Sequence, residues 1–419
     1  MKLFVSTYED MILRGGETYY FRMITWLQNR EYKAYLFLPE KCTIDTSVET
    51  EIKNKGVSIL KYNNLYNDNE IAKVLVEEKY EDLLGIVYTK ERYIRLRKLF
   101  ETVGVKYRLF LYIISPNRVV LKHDWNISKT IMRKISSPIC DAGAFAVMDK
   151  DYAFMCSEYI GLPKNSFTVV PVGVEIDSTY DVKNTSDKRV GKFTILTVGR
   201  FDFPFKGYVV GLIRDFAELC RKYNNIELVI VGYGKGQAMV DEAVTTVDKK
   251  YRDKIILKGK IDYHNLLGMY KSASVFVGMG TTLLEAAKVG TISIVASGGQ
   301  YGNYSSGYFD EADTLSFLIT GRYSKYTDVK KHMKYHFKDL IEDVYQMNEE
   351  TFIEKGRRTY DAYEKTYSMN YVMPYFMERS NGRPSVQTNL QKVISNFYDW
   401  RQNIIIELKF IKRKWLKKE

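Results

Sequence analysis

The sequence predicts an α/β protein built from two Rossmann-like domains, and three observations support this fold class. Short apolar runs alternate with helical patterns in two separate series along the chain. Glycine-rich turns follow several of these runs, as is typical where parallel strands lead into helices. A polar and charged segment, 178–192, separates the two series. We therefore expect a parallel sheet with right-handed crossovers in each half of the chain.

The charge balance indicates an anionic partner. The 419 residues include 63 basic and 51 acidic side chains, which gives a formal net charge of +12. Such an excess suits a nucleotide, a nucleic acid or an anionic membrane. Nucleic-acid binding would need aromatic side chains on an exposed sheet or a recognisable reading helix, and the sequence shows neither pattern. We therefore expect no nucleic-acid partner.

Cysteine and histidine usage predicts a cytoplasmic protein without a metal site. His332 and His336 lie in a lysine-rich segment with no acidic neighbour, so a solvated helix face is favoured over zinc. The first eight residues predict a strand rather than a signal peptide, and no apolar run has transmembrane length. The cysteines have no CxxC spacing and are expected to be reduced thiols: Cys42, Cys140, Cys156 and Cys220.

The first series of elements predicts a domain over residues 1–171. A strand at Lys2–Thr7 is followed by the glycine turn 14–18 and by a helix over 19–29. Gly15 and Gly16 would let the backbone approach a ligand closely, although a plain βα loop would leave the same pattern. Further strands are predicted at 34–38, 57–60, 83–88, 107–114 and 144–148, with helices at 69–79 and 90–103.

Two features of this half leave alternatives open. The strongly basic segment 90–108 is expected to be mostly solvated helix surface, with a membrane-facing patch as the alternative. His123 lies in the polar stretch LKHDWN, where a hydrogen-bonded loop histidine is favoured over a catalytic base.

The second series predicts a domain over 193–368, after a linker at 172–192. A helix at 149–162 and a strand at 167–170 precede this linker, and the helical segment 369–419 follows the domain. Residues 300–310 (QYGNYSSGYFD) are expected to form a loop beside a donor sugar. Strands are predicted at 193–198, 227–231 and 254–257, with helices at 208–223, 237–247, 263–271, 326–347 and 351–366.

The stretch 274–297 predicts a strand, a glycine loop, a helix and a second strand. Thr281 is expected to cap the helix, which leaves backbone N–H groups at its start for a phosphate. Glu285 lies one helical turn further, so both residues can face one crevice. An ordinary βαβ unit with a tight turn would give the same pattern, and Gly290 ends the helix in either case.

Two cations follow the first strand of the second series. Arg200 and Lys206 lie on the loop at its carboxyl end, where open α/β sheets bind ligands. Two positive charges beside a glycine loop and a helix start are suited to a diphosphate. The later loop GYGKG, which includes Gly232 and Gly234, matches a dinucleotide fingerprint only in part, because its spacing is not GxGxxG.

Several segments match a known family in order and spacing: RGGET, VVPVGVEID, TVGRFDFPFKG, ELVIVGYG, LLGMYKSASVFV, LLEAAKVG and RRTYDAYEKTYS. From residue 15 to about residue 367 the chain resembles the GT-B glycosyltransferases, in particular the retaining nucleotide-sugar enzymes of family 4. The resemblance implies two Rossmann-like domains facing across a cleft, with a C-terminal helix crossing the junction. It also implies that the second domain holds most of the donor.

The resemblance assigns roles to ten residues. Arg200 and Lys206 match the family's phosphate-binding pair, which stabilises the leaving nucleoside diphosphate without a metal. Glu285 matches the second acidic residue of the E-x7-E motif, which accepts hydrogen bonds from the ribose. These three are the expected catalytic residues. Donor-binding contacts are expected from Gly15, Gly16, Gly232, Gly234, Gly280, Thr281 and Thr282.

Two positions depart from the family pattern. Val277 stands where the first acidic residue of the motif belongs, so the usual carboxylate contact with the donor sugar is absent or comes from elsewhere. The histidine often found after an amino-domain strand has no clear counterpart, because 115–117 is Ser-Pro-Asn and His123 comes later. Front-face retaining transfer can use the leaving phosphate as base, so neither departure forbids catalysis.

The C-terminal segment predicts one long helix, 389–419, with an apolar stripe and a basic end. We expect 389–408 to pack on the protein and KFIKRKWLKKE to contact anionic lipid, with a solvated tail as the alternative. The expected protein is a glycosyltransferase of hexosyltransferase type in surface polysaccharide or glycoconjugate synthesis. It would use a nucleoside diphosphate sugar and a glycan or lipid-linked acceptor. The alternatives are a catalytically degenerate GT-B subunit that stabilises a partner transferase and, with less support, a sugar-nucleotide epimerase.

Overall fold

A computed structural model shows two compact units. The first comprises Met1–Gly173 and Val372–Glu419, and the second comprises Val174–Tyr371. Both are α/β, as predicted. The domain limits at 171, 192 and 368 stay predictions. The structure describes residues 2–8, 11, 15–65, 68–77, 80–114, 127–175, 188, 191–261, 263–299, 302–312, 333–379 and 387–415.

The first unit contains a seven-stranded parallel sheet. Its strand order is β3-β2-β1-β4-β5-β6-β7, so the first strand is internal and the chain winds outward from it in both directions. Central strands are buried almost throughout, because helices cover both faces of a parallel sheet. The strands are β1 (Lys2–Thr7), β2 (Tyr32–Pro39), β3 (Ser58–Tyr62), β4 (Asp82–Val87), β5 (Arg108–Ile113), β6 (Phe145–Val147) and β7 (Thr168–Val169).

The helices of this unit follow the predicted order, with one shifted start. The helix expected over 19–29 begins at Gly15, so Gly15 and Gly16 form its first turn instead of a separate loop. They are α1 (Gly15–Gln28), α2 (Thr46–Asn54), α3 (Asn69–Glu77), α4 (Lys90–Val103), α5 (Lys129–Asp141), α6 (Lys150–Ile160), and, after the second unit, two more that we label below as α14 and α15.

Helix α4 corrects the prediction of a solvated basic surface. Lys90, Arg92, Arg95 and Arg97 are all buried. Arg95 Nε donates to Asp399 Oδ1 at 2.6 Å, and Arg92 Nη1 donates to Thr7 Oγ1 at 3.1 Å. Because other helices and strands cover these side chains, this face of α4 is neither solvent-exposed nor available to a membrane.

The second unit contains another seven-stranded sheet, in the order β10-β9-β8-β11-β12-β13-β14. Strands β8 to β12 are parallel, whereas β13 and β14 add antiparallel at one edge. The strands are β8 (Phe193–Arg200), β9 (Ile226–Tyr233), β10 (Ile255–Gly259), β11 (Val275–Gly278), β12 (Ile292–Ala296), β13 (Tyr304–Tyr308) and β14 (Tyr335–His336).

Strand β13 shows that the predicted loop over 300–310 is wrong for 304–308. These residues pair with the open edge of β12, where Ser305 Oγ donates to Val295 O at 2.8 Å. A run rich in glycine and serine has little intrinsic strand preference, but it gains a hydrogen-bonded partner at that edge. A donor-sugar loop made of this whole segment is therefore excluded.

Alternating side chains divide the second core into two layers. On β8 and β11, Ile195 and Val277 face one apolar cluster, while Leu196 and Phe276 face another. This follows from the two-residue period of a strand that is covered on both sides. The helices are α7 (Tyr208–Lys222), α8 (Gln237–Thr246), α9 (Lys249–Arg252), α10 (Tyr263–Ser272), α11 (Thr281–Ala287), α12 (Phe337–Gln346) and α13 (Glu349–Tyr367).

The last two helices belong to the first unit: α14 (Met369–Arg379) and α15 (Asn389–Trp415). The expectation that α15 packs through its apolar stripe is wrong for Val393, Phe397, Trp400 and Ile404, which are exposed, as is Leu390. Among the α15 side chains that the structure describes, the buried ones are Ser395, Tyr398, Asp399 and Gln402. The ion pair from Arg95 to Asp399 holds the polar face of α15 inward.

The histidine predictions receive only partial tests. His123 and His332 lie outside the described residues, whereas His336 hydrogen-bonds Asn303 Oδ1 through Nδ1 at 3.0 Å. No cluster of three or more His, Cys, Asp or Glu side chains is placed to hold a metal within the described part of the chain. Among the described helices, none is long and apolar enough to cross a bilayer.

Gly211 provides a test of the packing of α7. A Cβ at this position would lie 1.9 Å from Gly302 O, whereas a Cβ on the helical Gly268 would meet nothing within 4 Å. We expect Gly211→Ala to lower the free energy of unfolding by about 1–3 kcal/mol through overpacking. The matched Gly268→Ala should raise it by about 0.5–1 kcal/mol through helix propensity. Urea titrations measure both, and equal stability of the two variants would contradict this packing.

Candidate functional site

The site lies at the carboxyl edge of the second sheet. Strand β8 is the centre of this edge, because it pairs with β9 on one side and β11 on the other. The register aligns Arg200 with Tyr233 at the end of β9. The loops after β8, β9 and β11 therefore meet at one edge, which is where open parallel sheets bind ligands.

Arg200 and Lys206 are held on the short connection between β8 and α7. Arg200 is the last residue of β8, and its exposed guanidinium pairs with Asp202 at 2.9 Å. The backbone N–H of Lys206 donates to Asp202 O at 3.1 Å, which closes the turn just before α7. The structure thus brings together the two cations that the sequence singled out.

The Lys206 side chain lies across the backbone of β8. A Cβ on Gly199 would be 2.8 Å from Lys206 Nζ, so a larger residue at 199 would require the lysine side chain to shift. Burial and, to a lesser extent, the neighbouring Arg200 charge lower the pKa of Lys206 to about 8, while Asp202 acts in the opposite sense. Lys206 is therefore a partly desolvated cation beside a second cation, and an incoming anion would stabilise it.

Gly232 and Gly234 have a packing role at the same edge. A Cβ on Gly232 would lie 2.3 Å from Gly199 O, and one on Gly234, whose φ is +137°, would lie 3.2 Å from Phe201 N. The glycines let the end of β9 press against the β8 connection, and this explains why the GYGKG pattern is glycine-rich without being a dinucleotide fingerprint. Their contact with a donor stays a prediction.

The turn from β11 into α11 differs from the expected cap. Gly280, with φ 66° and ψ −142°, occupies the N-cap, and no side-chain oxygen caps the helix. Thr281 is the first helical residue, and Thr282 Oγ1 donates back to Met279 O at 3.1 Å. The prediction that Thr281 caps the helix is therefore wrong, since Gly280 alone tolerates this backbone conformation. Backbone N–H groups of the first turn remain at the sheet edge.

Glu285 is buried one turn further along α11. Its carboxylate pairs with Lys288 Nζ at 2.7 Å, and both side chains are almost fully buried. Sequence reasoning identified Glu285 but missed Lys288, although the i,i+3 spacing of a Glu and a Lys is a usable signal. The pair balances a charge that would be costly alone. A ribose contact of Glu285 stays a prediction.

Val277 lies inside the apolar core. It is fully buried on β11, pairs in register with Ile294, and packs in the cluster that α7 and α12 cover. A carboxylate at this position would sit among apolar side chains, so valine suits the fold as it stands. The acidic residue that the family pattern places here has no equivalent at this position.

Gly15 and Gly16 lie in the first unit, in the first turn of α1 after β1. Their backbone amides belong to the unpaired group at a helix start. Whether they close over donor and acceptor stays a prediction.

The comparisons with known proteins agree with this architecture. The sequence model of the family "Glycosyl transferases group 1" matches residues 180–305, which include β8, its cationic connection and α11. No curated protein sequence matches the chain.

Solved structures extend the similarity to nearly the whole chain. Anabaena Alr3699/HepE in complex with UDP is 15% identical, with a TM-score of 0.58 over 90% of this chain and 99% of that chain. A glycosyltransferase from Rickettsia africae ESF-5 is 11% identical, with a TM-score of 0.61 over 90% and 97%. A mutant S. aureus TarM in complex with fondaparinux, alpha-GlcNAc-glycerol and UDP is 11% identical, with a TM-score of 0.54 over 91% and 100%.

The two α/β units and the structural neighbours define a GT-B fold. Within this fold, residues 180–305 are similar to the group 1 glycosyl transferases.

The pKa of Lys206 gives a pH test of this site. Because a diphosphate favours the charged lysine, UDP should bind with nearly constant affinity below pH 8 and progressively more weakly above it, by up to about tenfold per pH unit. Calorimetry in buffers of different ionisation enthalpy should show proton uptake on binding near pH 8. Lys206→Arg keeps its charge across this range and serves as the control. A flat affinity profile in the unsubstituted protein would contradict the assignment.

Proposed function

We propose that the chain transfers a hexosyl group from a nucleoside diphosphate sugar to a glycan or lipid-linked acceptor, with retention of configuration and without a metal. The observation that carries this proposal is the pair of cations, Arg200 and Lys206, at the carboxyl edge of the second sheet. Complexes of HepE with UDP and with UDP-glucose support a nucleotide-sugar donor.

The reaction needs stabilisation of the leaving group above all. The bond between the anomeric carbon and the diphosphate oxygen breaks, and the bonding electrons leave with the nucleoside diphosphate. Arg200 and Lys206 would hold this growing negative charge in the transition state. The acceptor hydroxyl forms the new glycosidic bond, and its proton passes to the departing phosphate. No separate carboxylate base is then required, which is consistent with the core position of Val277.

Other residues would bind and orient the donor. Backbone amides at Gly280, Thr281 and Thr282 would contact the diphosphate, and Glu285 would accept hydrogen bonds from the ribose. Its partner Lys288 would hold the Glu285 carboxylate in a fixed position. We propose donor contacts also for the amides of Gly15, Gly16, Gly232 and Gly234.

The pathway and location form a second part of the proposal. The acceptor would be a growing repeat of a surface polysaccharide or glycoconjugate, made on the cytoplasmic face of the cell membrane. The basic end 409–419 would bring the enzyme to anionic lipid as a peripheral protein. Deleting 409–419 should move the protein from the membrane to the soluble fraction, and unchanged fractionation would contradict this contact.

Turnover with a panel of sugar nucleotides and candidate acceptors tests the transfer itself. Release of nucleoside diphosphate should depend on the acceptor. Lys206→Ala should lower kcat/KM by a factor on the order of a hundred, as the loss of one preorganised charge contact does. The control is Lys250→Ala, an exposed lysine on α9, which leads into the amino end of β10 and so lies at the opposite edge of the sheet.

Three results would separate the alternatives. Unaltered kinetics in Lys206→Ala would contradict the assignment of the pocket. Donor binding without turnover on any acceptor would favour the non-catalytic subunit, for which Val277 is the supporting observation. Nucleotide release that does not need an acceptor would contradict transfer.

A further inference from the structure

Helix α15 carries a continuous apolar face that points away from the protein. Its members are between 41% and 64% exposed: Leu390, Val393, Phe397, Trp400 and Ile404. We call this set the α15 stripe. Their spacing of three and four residues places them on one side of the helix, and the rings of Phe397 and Trp400 lie 5.9 Å apart. Five large apolar side chains in one row form a patch rather than scattered surface residues.

The outward position of the α15 stripe is fixed by the opposite face. Ser395, Tyr398, Asp399 and Gln402 are buried, and Tyr398 joins an apolar cluster with Ile94, Met132 and Ile135. Asp399 pairs with the buried Arg95 at 2.6 Å. Rotating the helix to bury the stripe would separate this ion pair. Arg95 would then be left as a buried charge without its partner, which is energetically costly. The stripe is therefore a stable surface of the folded unit.

The sequence continues the same spacing along the helix. Leu408, Ile411 and Trp415 follow Ile404 at intervals of four, three and four residues, and α15 runs without a break to Trp415. A helix of 27 residues is about 40 Å long. The apolar pattern therefore covers nearly the whole length of α15.

Positive charge accompanies this pattern. Between 389 and 415 the sequence has six basic residues, Lys392, Arg401, Lys409, Lys412, Arg413 and Lys414, against the acidic Asp399 and Glu407. Asp399 is already paired inside the protein. A cavity of about 160 Å³ beside the helix is lined by Lys98 and Lys392, together with Glu101. Cations thus lie on the helix and next to it.

We infer that α15 lies in the plane of an anionic bilayer surface, with the α15 stripe inserted at the boundary of the acyl chains. An apolar face rich in Trp and Phe, flanked by Lys and Arg, is the pattern of an interfacial helix. Pairing with a second copy would instead bring two strongly cationic helices together, which charge repulsion opposes. This inference deepens the membrane contact proposed above for 409–419, but it rests on the exposed side chains of 390–404.

Sedimentation of the full-length protein with lipid vesicles tests the inference. Vesicles of phosphatidylcholine with phosphatidylglycerol should bind the protein, and pure phosphatidylcholine should bind it less, because only the first carries negative charge. Phe397→Glu and Trp400→Glu should each lower the partition coefficient by about tenfold or more. Each variant loses an aromatic side chain that would insert into the bilayer and adds a negative charge that the anionic lipid repels. The matched control is Val76→Glu on α3, whose side chain is 59% exposed, as Trp400 is.

The vesicle, light-scattering and UDP-binding results each support or contradict the membrane inference. Equal binding of the Trp400→Glu and Val76→Glu variants, or no binding of the unsubstituted protein to anionic vesicles, would overturn the inference. A dimer by light scattering that Trp400→Glu converts to a monomer would assign the α15 stripe to a second copy and also overturn it. UDP affinity should be unchanged in Phe397→Glu and Trp400→Glu. Loss of vesicle binding with intact UDP binding therefore supports this surface independently of the proposed transfer reaction.

Discussion

The repulsion between two neighbouring cations at one sheet edge is the constraint on which the functional account depends. Lys206 lies across Gly199, is partly buried, and lies close enough to Arg200 for that charge to lower its pKa. Folding alone gains nothing from such an arrangement, because burial disfavours the charged form and like charges add to the cost. An anion bound between them would remove both penalties. Strained electrostatics of this kind is typical of binding and catalytic sites.

The rest of the second unit positions this pair. Pairing of β8 with both β9 and β11 brings three loops to the same edge, and the close approach of Gly232 to Gly199 holds two of them together. In the first unit, charge has a structural role instead: the ion pair from Arg95 to Asp399 fixes the rotation of α15 and so keeps its apolar side outward. Electrostatics therefore underlies both proposals: the donor site in one unit and the lipid-facing surface in the other.

The sequence was sufficient for features that local pattern controls. Alternating apolar runs predicted nearly every central strand, and a strand end followed by Arg200 and Lys206 predicted the cationic connection. The sequence was insufficient where burial or strand pairing depends on residues that are distant in the chain. Burial of Arg95 depends on Asp399, which is 304 residues away, and β13 exists because β12 offers an open edge to a segment with little strand preference of its own. Local pattern also placed the cap at Thr281, whereas the positive φ at 280 required glycine there. The sequence pattern did not predict the buried Lys288, because lysines are rarely fully buried.

A crystal structure of the protein soaked with uridine or guanosine diphosphate tests the central claim most directly. The account predicts density for the diphosphate at the carboxyl edge of the second sheet, with its oxygens about 2.7–3.2 Å from the Arg200 guanidinium and the Lys206 ammonium. The base in the better-ordered complex would also show which nucleotide the protein prefers. Diphosphate density that contacts neither side chain, at this edge or elsewhere, would contradict the account.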